Sequence, residues 1–326
     1  MLPEAKLAIR PGRPTRVLRK VNLGDSSYNA LLWFFAGSTL VIAGVIVFAL
    51  WGTARPAFRV ASVLSFIAGS NWDPVQESFG ALSFIYGTLV TSAIALILTV
   101  PIGVAFAIFL VEMAPGGVRP IVSFPLELLA AIPSVVFGLW GLFVMVPWLR
   151  IFLEPFLGRT LGFLPLFRGP PLGMGYLAGG LILAVMILPT VASISIEVLR
   201  TVPSSLREAA LALGATRWEA IRLASLPYGR TGILGAGLLG LGRALGETMA
   251  VTMVIGNSPE IHASLFAAGY SLPSVIANEF AEATSAVHTG VLAALALILF
   301  GITFLLNSVA RLLVRAVTKS QAKAPL

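Results

Sequence analysis

Two charged side chains stand where charge is expensive. Arg243 and Glu247 lie inside the long apolar run Thr231–Gly256. Arg243 is 12 residues into that run, or about 18 Å of helical rise. That depth is near the middle of a hydrocarbon layer about 30 Å thick. Inserting an arginine there costs about 2.5–3.5 kcal/mol, and attraction to a nearby carboxylate does little more than offset desolvation. Four-residue spacing puts both charges on one helix face. Two readings stand. One is an intrahelical ion pair that tolerates burial. The other is a switchable anion site: Arg243 offers planar paired donors to an oxyanion, and Glu247 holds the guanidinium when the anion has left. The surrounding helix contains Gly232, Gly235, Gly237, Gly240, Gly242 and Gly246. Gly242 and Gly246 form G-x-x-x-G, which lets helices approach closely.

Other chemistries find no residues. The chain has no cysteine, which removes disulfides, thiolate catalysis and cysteine-bound zinc. His262 and His288 lack metal-ligand spacing and read as solvated loop or helix-end residues. No nucleophile–base pair or metal cluster appears, so a membrane enzyme is the least supported class. The dipeptide Gly-Lys never occurs, so the chain has no phosphate-binding loop of the ATPase type. Glu127 and Glu197 fall at span ends, where solvation or snorkelling accommodates them, and Pro133 and Pro189 interrupt two spans.

The elements that must position Arg243 are membrane helices. The chain is 57% hydrophobic and 11% charged with mean hydropathy +0.94, far below the charge content of soluble domains, about 25%. Six segments reach spanning length: Ala30–Trp51, Ala81–Val111, Leu128–Trp148, Tyr176–Ile196, Thr231–Gly256 and Gly290–Val309. The second is long enough to require tilt or a bend at Pro101. The net charge of +8 sits in blocks between these runs, and their placement sets orientation rather than nucleic-acid binding. With the N-terminus cytoplasmic, sixteen of the 22 Lys and Arg fall inside and five outside, so both termini are expected in the cytoplasm. The first span is too long for a signal peptide and reads as an uncleaved anchor. The expected division is 1–29, a basic cytoplasmic tail near the anionic inner leaflet; 30–78, an anchor helix and first outer loop; 79–317, the transmembrane domain; and 318–326, a second cytoplasmic tail. The outer loop Asn257–Thr289 carries Glu260, Glu279 and Glu282 and no Lys or Arg.

The cytoplasmic loop at 200–230 reads RTVPSSLREAALALGATRWEAIRLASLPYGR. Pro203 and Ser204 open a helix, with Ser204 and Ser205 as caps. Leu206, Ala209, Ala210 and Leu213 form an apolar stripe, and Gly214 stops the helix in a left-handed conformation. A second short helix through Trp218, Ile221 and Leu226 is expected to stop at Pro227. Read without a partner, this is a membrane-surface hairpin. Its residues, however, resemble the cytoplasmic loop of ABC importer permeases: Glu208, Ala209, Ala210, Gly214, Leu226 and Pro227 match the family signature in register, and Ala224 departs from it at an isoleucine position. The resemblance implies a loop that sits in a cleft on an ATPase subunit and transmits its closure. It implies an all-α membrane protein, a six-helix type I ABC importer permease core, that is itself no enzyme. It further implies that this chain binds no cofactor, ATP and Mg residing on the partner ATPase.

Two further stretches, Gly242–Asn257 (GRALGETMAVTMVIGN) and Ala131–Phe143 (AIPSVVFGLWGLF), resemble phosphate permeases of the PstC type. The resemblance runs from about Phe79 to Val317. It implies a substrate pathway past Arg243 and Glu247. The implied assembly joins a PstA-type permease, two ATPase subunits and an extracytoplasmic phosphate-binding protein in the lipid bilayer, importing inorganic phosphate by alternating access. Sulfate, molybdate or phosphonate permeases are the nearest alternatives, since a planar arginine separates tetrahedral oxyanions poorly. A membrane sensor without flux is the alternative of another class.

Overall fold

A computed structural model describes residues 23–60 and 62–321. Most of the expected basic tail 1–29, and residues 322–326 of the second tail, lie outside the described residues. In chain order the elements are α1 (Leu23–Val60), α2 (Val63–Ala68), a two-residue antiparallel pair β1 (Trp72–Asp73) and β2 (Ser78–Phe79), α3 (Leu82–Ile108), α4 (Val118–Ala131), α5 (Ser134–Trp140), α6 (Val146–Trp148), α7 (Glu154–Leu161), α8 (Tyr176–Arg200), α9 (Ser204–Ala212), α10 (Arg217–Ala220), α11 (Leu226–Gly246), α12 (Met249–Val254), α13 (Leu272–Glu279) and α14 (Ala286–Gln321). Among the described residues, five helical stretches are long and apolar enough to cross a membrane: Ser27–Arg59, Leu82–Met113, Ser134–Leu161, Tyr176–Arg200 and Ala286–Leu312.

Three expected boundaries are corrected. The third segment, expected over Leu128–Trp148, is cut at Ile132–Pro133. Ile132 is extended (φ −69°, ψ 128°) because the proline ring disfavours helical geometry in the residue before it. The span instead runs Ser134–Leu161 through two π-helical turns, Gly141–Met145 and Leu149–Leu153, so helix continues past the expected end at Trp148. The fifth segment, expected as one helix over Thr231–Gly256, is split: α11 ends at Gly246, Glu247 is extended, and α12 starts at Met249. The helix of the first segment continues through Gly52 to Val60. It does so because Ala54 and Ala57 are buried, with Gly290 of α14 packed closely against the α1 backbone at Thr53 and Ala57.

The two units of the chain, divided at Ala49 and Leu50, differ in burial. The described side chains of α1 up to Ala49 are exposed or half-buried, with Trp33, Phe34, Leu40 and Phe48 prominent. In the second unit α8 is the central helix. It packs on α3 and α11, and Ile182, Leu183, Met186 and Ile187 join Phe137 of α5 and Val251 and Val254 of α12 in one core. A second core gathers Phe84 of α3, Leu272 and Val275 of α13, and Val291–Leu295 of α14. A third, at the arginine-rich end, joins Ala107 and Leu110, Leu126, Ile196 and Leu199, and Ile221. Between membrane helices such contacts act through van der Waals fit rather than expulsion of water. Gly87 illustrates the fit: a Cβ there would overlap the Tyr270 carbonyl, while Thr88 Oγ1 beside it accepts from Leu272 N at 2.8 Å.

Candidate translocation site and coupling hairpin

The structure keeps Arg243 at half depth and removes its expected pairing. Its Nη1 donates to Thr190 Oγ1 at 3.2 Å. Thr190 is 10 residues from the arginine-rich end of α8, about 15 Å along the helix, which is mid-membrane. Among the described residues Arg243 has that one hydrogen bond and no ion pair. The expectation that Glu247 lies one turn on along the same helix face is corrected. α11 ends at Gly246, and Glu247 (φ −71°, ψ 127°) turns away to accept weakly from Ala250 N at 3.5 Å. The sequence reason is local. Gly246 weakens the last turn, and Glu247 and Thr248 both favour termination by bonding nearby backbone; Thr248 Oγ1 donates to the Gly246 carbonyl at 3.3 Å. In the last turn of α11, Arg243 faces the unpaired carbonyls and the negative end of the helix dipole, which favours its charge. The guanidinium is exposed and Glu247 half-buried.

The break in α11 packs close to the second broken helix. A Cβ on Gly138 of α5 would stand 3.1 Å from Ala250 Cα of α12 and would meet the Met253 sulfur, so a larger residue there would push the two broken helices apart or displace Met253. Hydropathy alone gave no sign of either interruption, although the pair Ile132–Pro133 carried one. The G-x-x-x-G pair mediates no close packing among the described residues, the nearest approach being Asn307 Nδ2, 4.0 Å from a Cβ at Gly242. A Cβ at Gly246 would meet nothing within 4 Å, whereas Gly232 and Gly240 press against Val198 and Val191 of α8.

At the arginine-rich end, α9 and α10 form the expected hairpin. Gly214 has φ +87°, which L side chains adopt at a cost. It closes a two-bond cap: Ala215 N donates to Ala210 O at 3.1 Å and Gly214 N to Leu211 O at 3.0 Å. Ser204 and Ser205 do not cap. Pro203 takes the cap position without a side-chain bond, and both serines lie inside α9. The second expected stop is also corrected. Pro227 opens α11 rather than ending a helix, because the turn Ile221–Ser225 is π-helical, and a widened turn accommodates the proline ring and its missing N–H. A capping box went unread: Thr216 N donates to Glu219 Oε2 at 2.7 Å, and Glu219 N to Thr216 Oγ1 at 3.3 Å. The spacing Thr-x-x-Glu was its signal. The backbone and hydroxyl of Thr216 hold the Glu219 carboxyl below its ordinary value of 4.5.

Of the six residues matching the family loop, Ala209, Ala210, Gly214 and Pro227 line one open cleft of about 740 Å³. Leu226 packs toward the third core, and Glu208 is exposed on α9 outside the cleft lining. Leu213, at 90% exposure, and Leu223, at 70%, stand at its edges. Large apolar side chains held out of any core mark a surface that another protein covers.

A buried junction behind the hairpin was invisible to pattern. Arg207 of α9 pairs with Glu112 at 2.9 Å, and Glu112 is 6% exposed. Ser225 Oγ donates to the other Glu112 oxygen at 2.8 Å, and Arg207 Nη2 donates to the Val202 carbonyl at 3.1 Å. The opposite end holds a second network. Glu279 accepts from Trp72 Nε1 at 3.0 Å and lies 2.9 Å from His288 Nε2, so His288 is buried rather than solvated. His262 is exposed beside Glu260 as expected. Burial pushes the nearby Tyr270 hydroxyl up to about 12.

The model of the family described as "Binding-protein-dependent transport system inner membrane component" matches residues 82–319. The chain belongs to this family. The match begins at α3 and takes in both broken helices, the hairpin and most of α14, so the protein is a multi-pass component of the bacterial inner membrane. Its relatives include the phosphate transport system permease protein PstC of Mesorhizobium japonicum, 45% identical over 94% of this chain and 95% of that protein. The PstC of Pasteurella multocida is 48% identical over 79% and 82%. PstC 2 of Mycobacterium tuberculosis is 41% identical over 85% and 87%. Among solved structures, a bacterial alginate ABC transporter in complex with an alginate-bound periplasmic protein superposes with TM-score 0.61 at 14% identity, over 91% of this chain and 98% of that one. The MetNI methionine transporter in an inward-facing state gives 0.53 at 20%, over 76% and 99%. These likenesses establish the ABC importer permease fold.

Proposed function

We propose that this chain is the permease subunit of an ATP-driven importer of inorganic phosphate, and that the anion passes Arg243. The observation that carries the pathway is the interruption of α11 at mid-membrane. Non-helical backbone at that depth is tolerated only inside protein or beside a water-filled cavity. Glu247 and Thr248 supply that backbone, and Arg243 stands in the last helical turn before it. A guanidinium with one threonine contact has donors left for a tetrahedral oxyanion. Thr190 holds it in place. Glu247, separated from the guanidinium by the break, lowers the net positive charge that would otherwise retain a dianion. The likeness to PstC proteins over nearly the whole chain supports phosphate as that oxyanion.

In this reading the α9–α10 hairpin seats in an ATPase subunit through the cleft around Ala209, Ala210, Gly214 and Pro227, with Glu208 exposed on the outer face of α9. A PstA-type permease completes the pore, a second ATPase subunit completes the motor, and an extracytoplasmic binding protein delivers phosphate. ATP and Mg are held by the ATPases. The test is the assembled complex in vesicles with its loaded binding protein. Phosphate, and neither sulfate nor molybdate, should stimulate ATP hydrolysis and accumulate inside. Arg243→Gln should abolish uptake while the complex still assembles. Wild-type flux in that variant refutes the pathway, and stimulation by sulfate alone refutes the substrate.

A further inference from the structure

The arginine-rich end holds a groove that neither the hairpin nor Arg243 uses. It has a volume of about 490 Å³ and runs between α8, α11 and α14. Its walls are mainly apolar: Ile194 and Val198 of α8 face Leu238 and Leu239 of α11, and Asn307 of α14 is the polar exception. Gly235 keeps it open, since a Cβ there would meet nothing within 4 Å. Two further lining residues, Arg311 and Arg315 of α14, are cationic. They stand one turn apart, both exposed, and neither has an ion pair among the described residues. The apolar span of α14 ends at Leu312, so the two guanidinium groups flank the level where hydrocarbon gives way to headgroups.

We propose that this groove binds an anionic phospholipid of the inner leaflet, with an acyl chain along the α8–α11 walls and the headgroup phosphate on Arg311 and Arg315. The order of the lining argues for a lipid. Apolar walls lead to paired cations at the membrane boundary, matching tail and headgroup, and basic pockets between membrane helices on the cytoplasmic side suit such headgroups. A free anion would find one polar side chain along those walls, Asn307, whose amide already donates to the Thr303 carbonyl at 2.9 Å. A helix from another subunit would cover the walls but would also have to bring an acid for two arginines. The bound lipid braces the same helix, α11, that carries Arg243 in its last turn. The proposal needs only the membrane placement and stands apart from the choice of phosphate as cargo.

The experiment uses the assembled transporter, extracted in mild detergent from membranes containing phosphatidylglycerol and phosphatidylcholine, with retained lipid counted by native mass spectrometry. Wild type should retain phosphatidylglycerol in preference. Arg311→Gln/Arg315→Gln should weaken that retention about 30-fold, two surface contacts of about 1 kcal/mol each. Arg159→Gln, a cation at the other end, should leave it unchanged, and Arg311→Lys/Arg315→Lys should preserve most of it. If the double Gln variant fails to assemble, Leu239→Trp, which fills the groove and keeps both arginines, should reduce retention instead. Equal retention of phosphatidylcholine, or unchanged retention in the double Gln and Leu239→Trp variants, overturns the proposal. So does displacement of the lipid by millimolar inorganic phosphate, which marks a free-anion site. A photo-crosslinker at position 239 that captures the partner permease rather than lipid overturns it as well.

Discussion

Cutting the Arg207–Glu112 pair should be among the most damaging single changes outside the translocation site. Arg207→Ala leaves the Glu112 carboxylate, 6% exposed, with Ser225 as its remaining partner. Removing one member of a buried pair costs about 3–5 kcal/mol. Arg207 is itself 26% exposed, so solvent screens part of the interaction and the lower end, about 3 kcal/mol, is expected. Glu112→Gln keeps the shape and loses the charge, which should cost about 1.5–3 kcal/mol. Replacing both, Arg207→Met with Glu112→Leu, removes the stranded charge and should cost much less than the sum. Equilibrium unfolding in mixed micelles across this double-mutant cycle should give a coupling energy of at least about 1.5 kcal/mol. Additive single effects, each under about 1 kcal/mol, would refute the claim that this pair holds α9 to the end of α3.

Gly214→Val places a β-branched residue at φ +87°. The strain of about 1–2 kcal/mol should loosen the end of α9 and lower ATPase capture by the hairpin, with uptake falling in parallel; unchanged pull-down would show that the cap is dispensable. Glu219 should make the hairpin acid-sensitive. Its carboxyl sits below 4.5 in the fold, so the capping contribution is complete above about pH 4.5 and is lost as pH falls through the lower folded value. Hydrogen exchange at Thr216–Ala220, corrected for intrinsic rates, should therefore stay level between pH 6 and 8 and rise in Glu219→Gln. At the other end, Glu279→Ala strips the acceptor from half-buried Trp72 Nε1 and from His288. It should cost about 1–3 kcal/mol and alter the near-ultraviolet dichroism of Trp72; an unchanged spectrum would show that the network does not orient the indole.

Hydropathy located α3, α8 and α14 because a continuous apolar run is itself the signal. It missed the interruptions because transfer energy does not register backbone conformation: Glu247 and Thr248 sit inside a run whose average stays apolar. The break at Ile132 was legible in the steric effect of Pro133, had that effect outweighed the run. Pro227 was misjudged for the opposite reason, since proline is compatible with helix wherever the preceding turn widens. Gly214 was read correctly because a left-handed residue after an amphipathic helix depends on local sterics alone. The Arg207–Glu112–Ser225 junction depends on three segments meeting, with Glu112 95 residues from Arg207 and 113 from Ser225, and no local pattern encodes such a meeting.

The π turn at Ile221–Ser225 has a mechanical consequence. Because Pro227 does not end a helix, residues 217–246 form one uninterrupted rod from the hairpin to the break beside Arg243. Thirty residues make a lever about 45 Å long. The Ser225–Glu112 bond sits about 12 Å from its hairpin end, where a fulcrum would be. A tilt of about 5° about that fulcrum carries the far tip, about 32 Å away, through about 3 Å, about the length of a hydrogen bond. A motion too slight to repack the helices would therefore suffice to make or break the proposed contact between Arg243 and an anion.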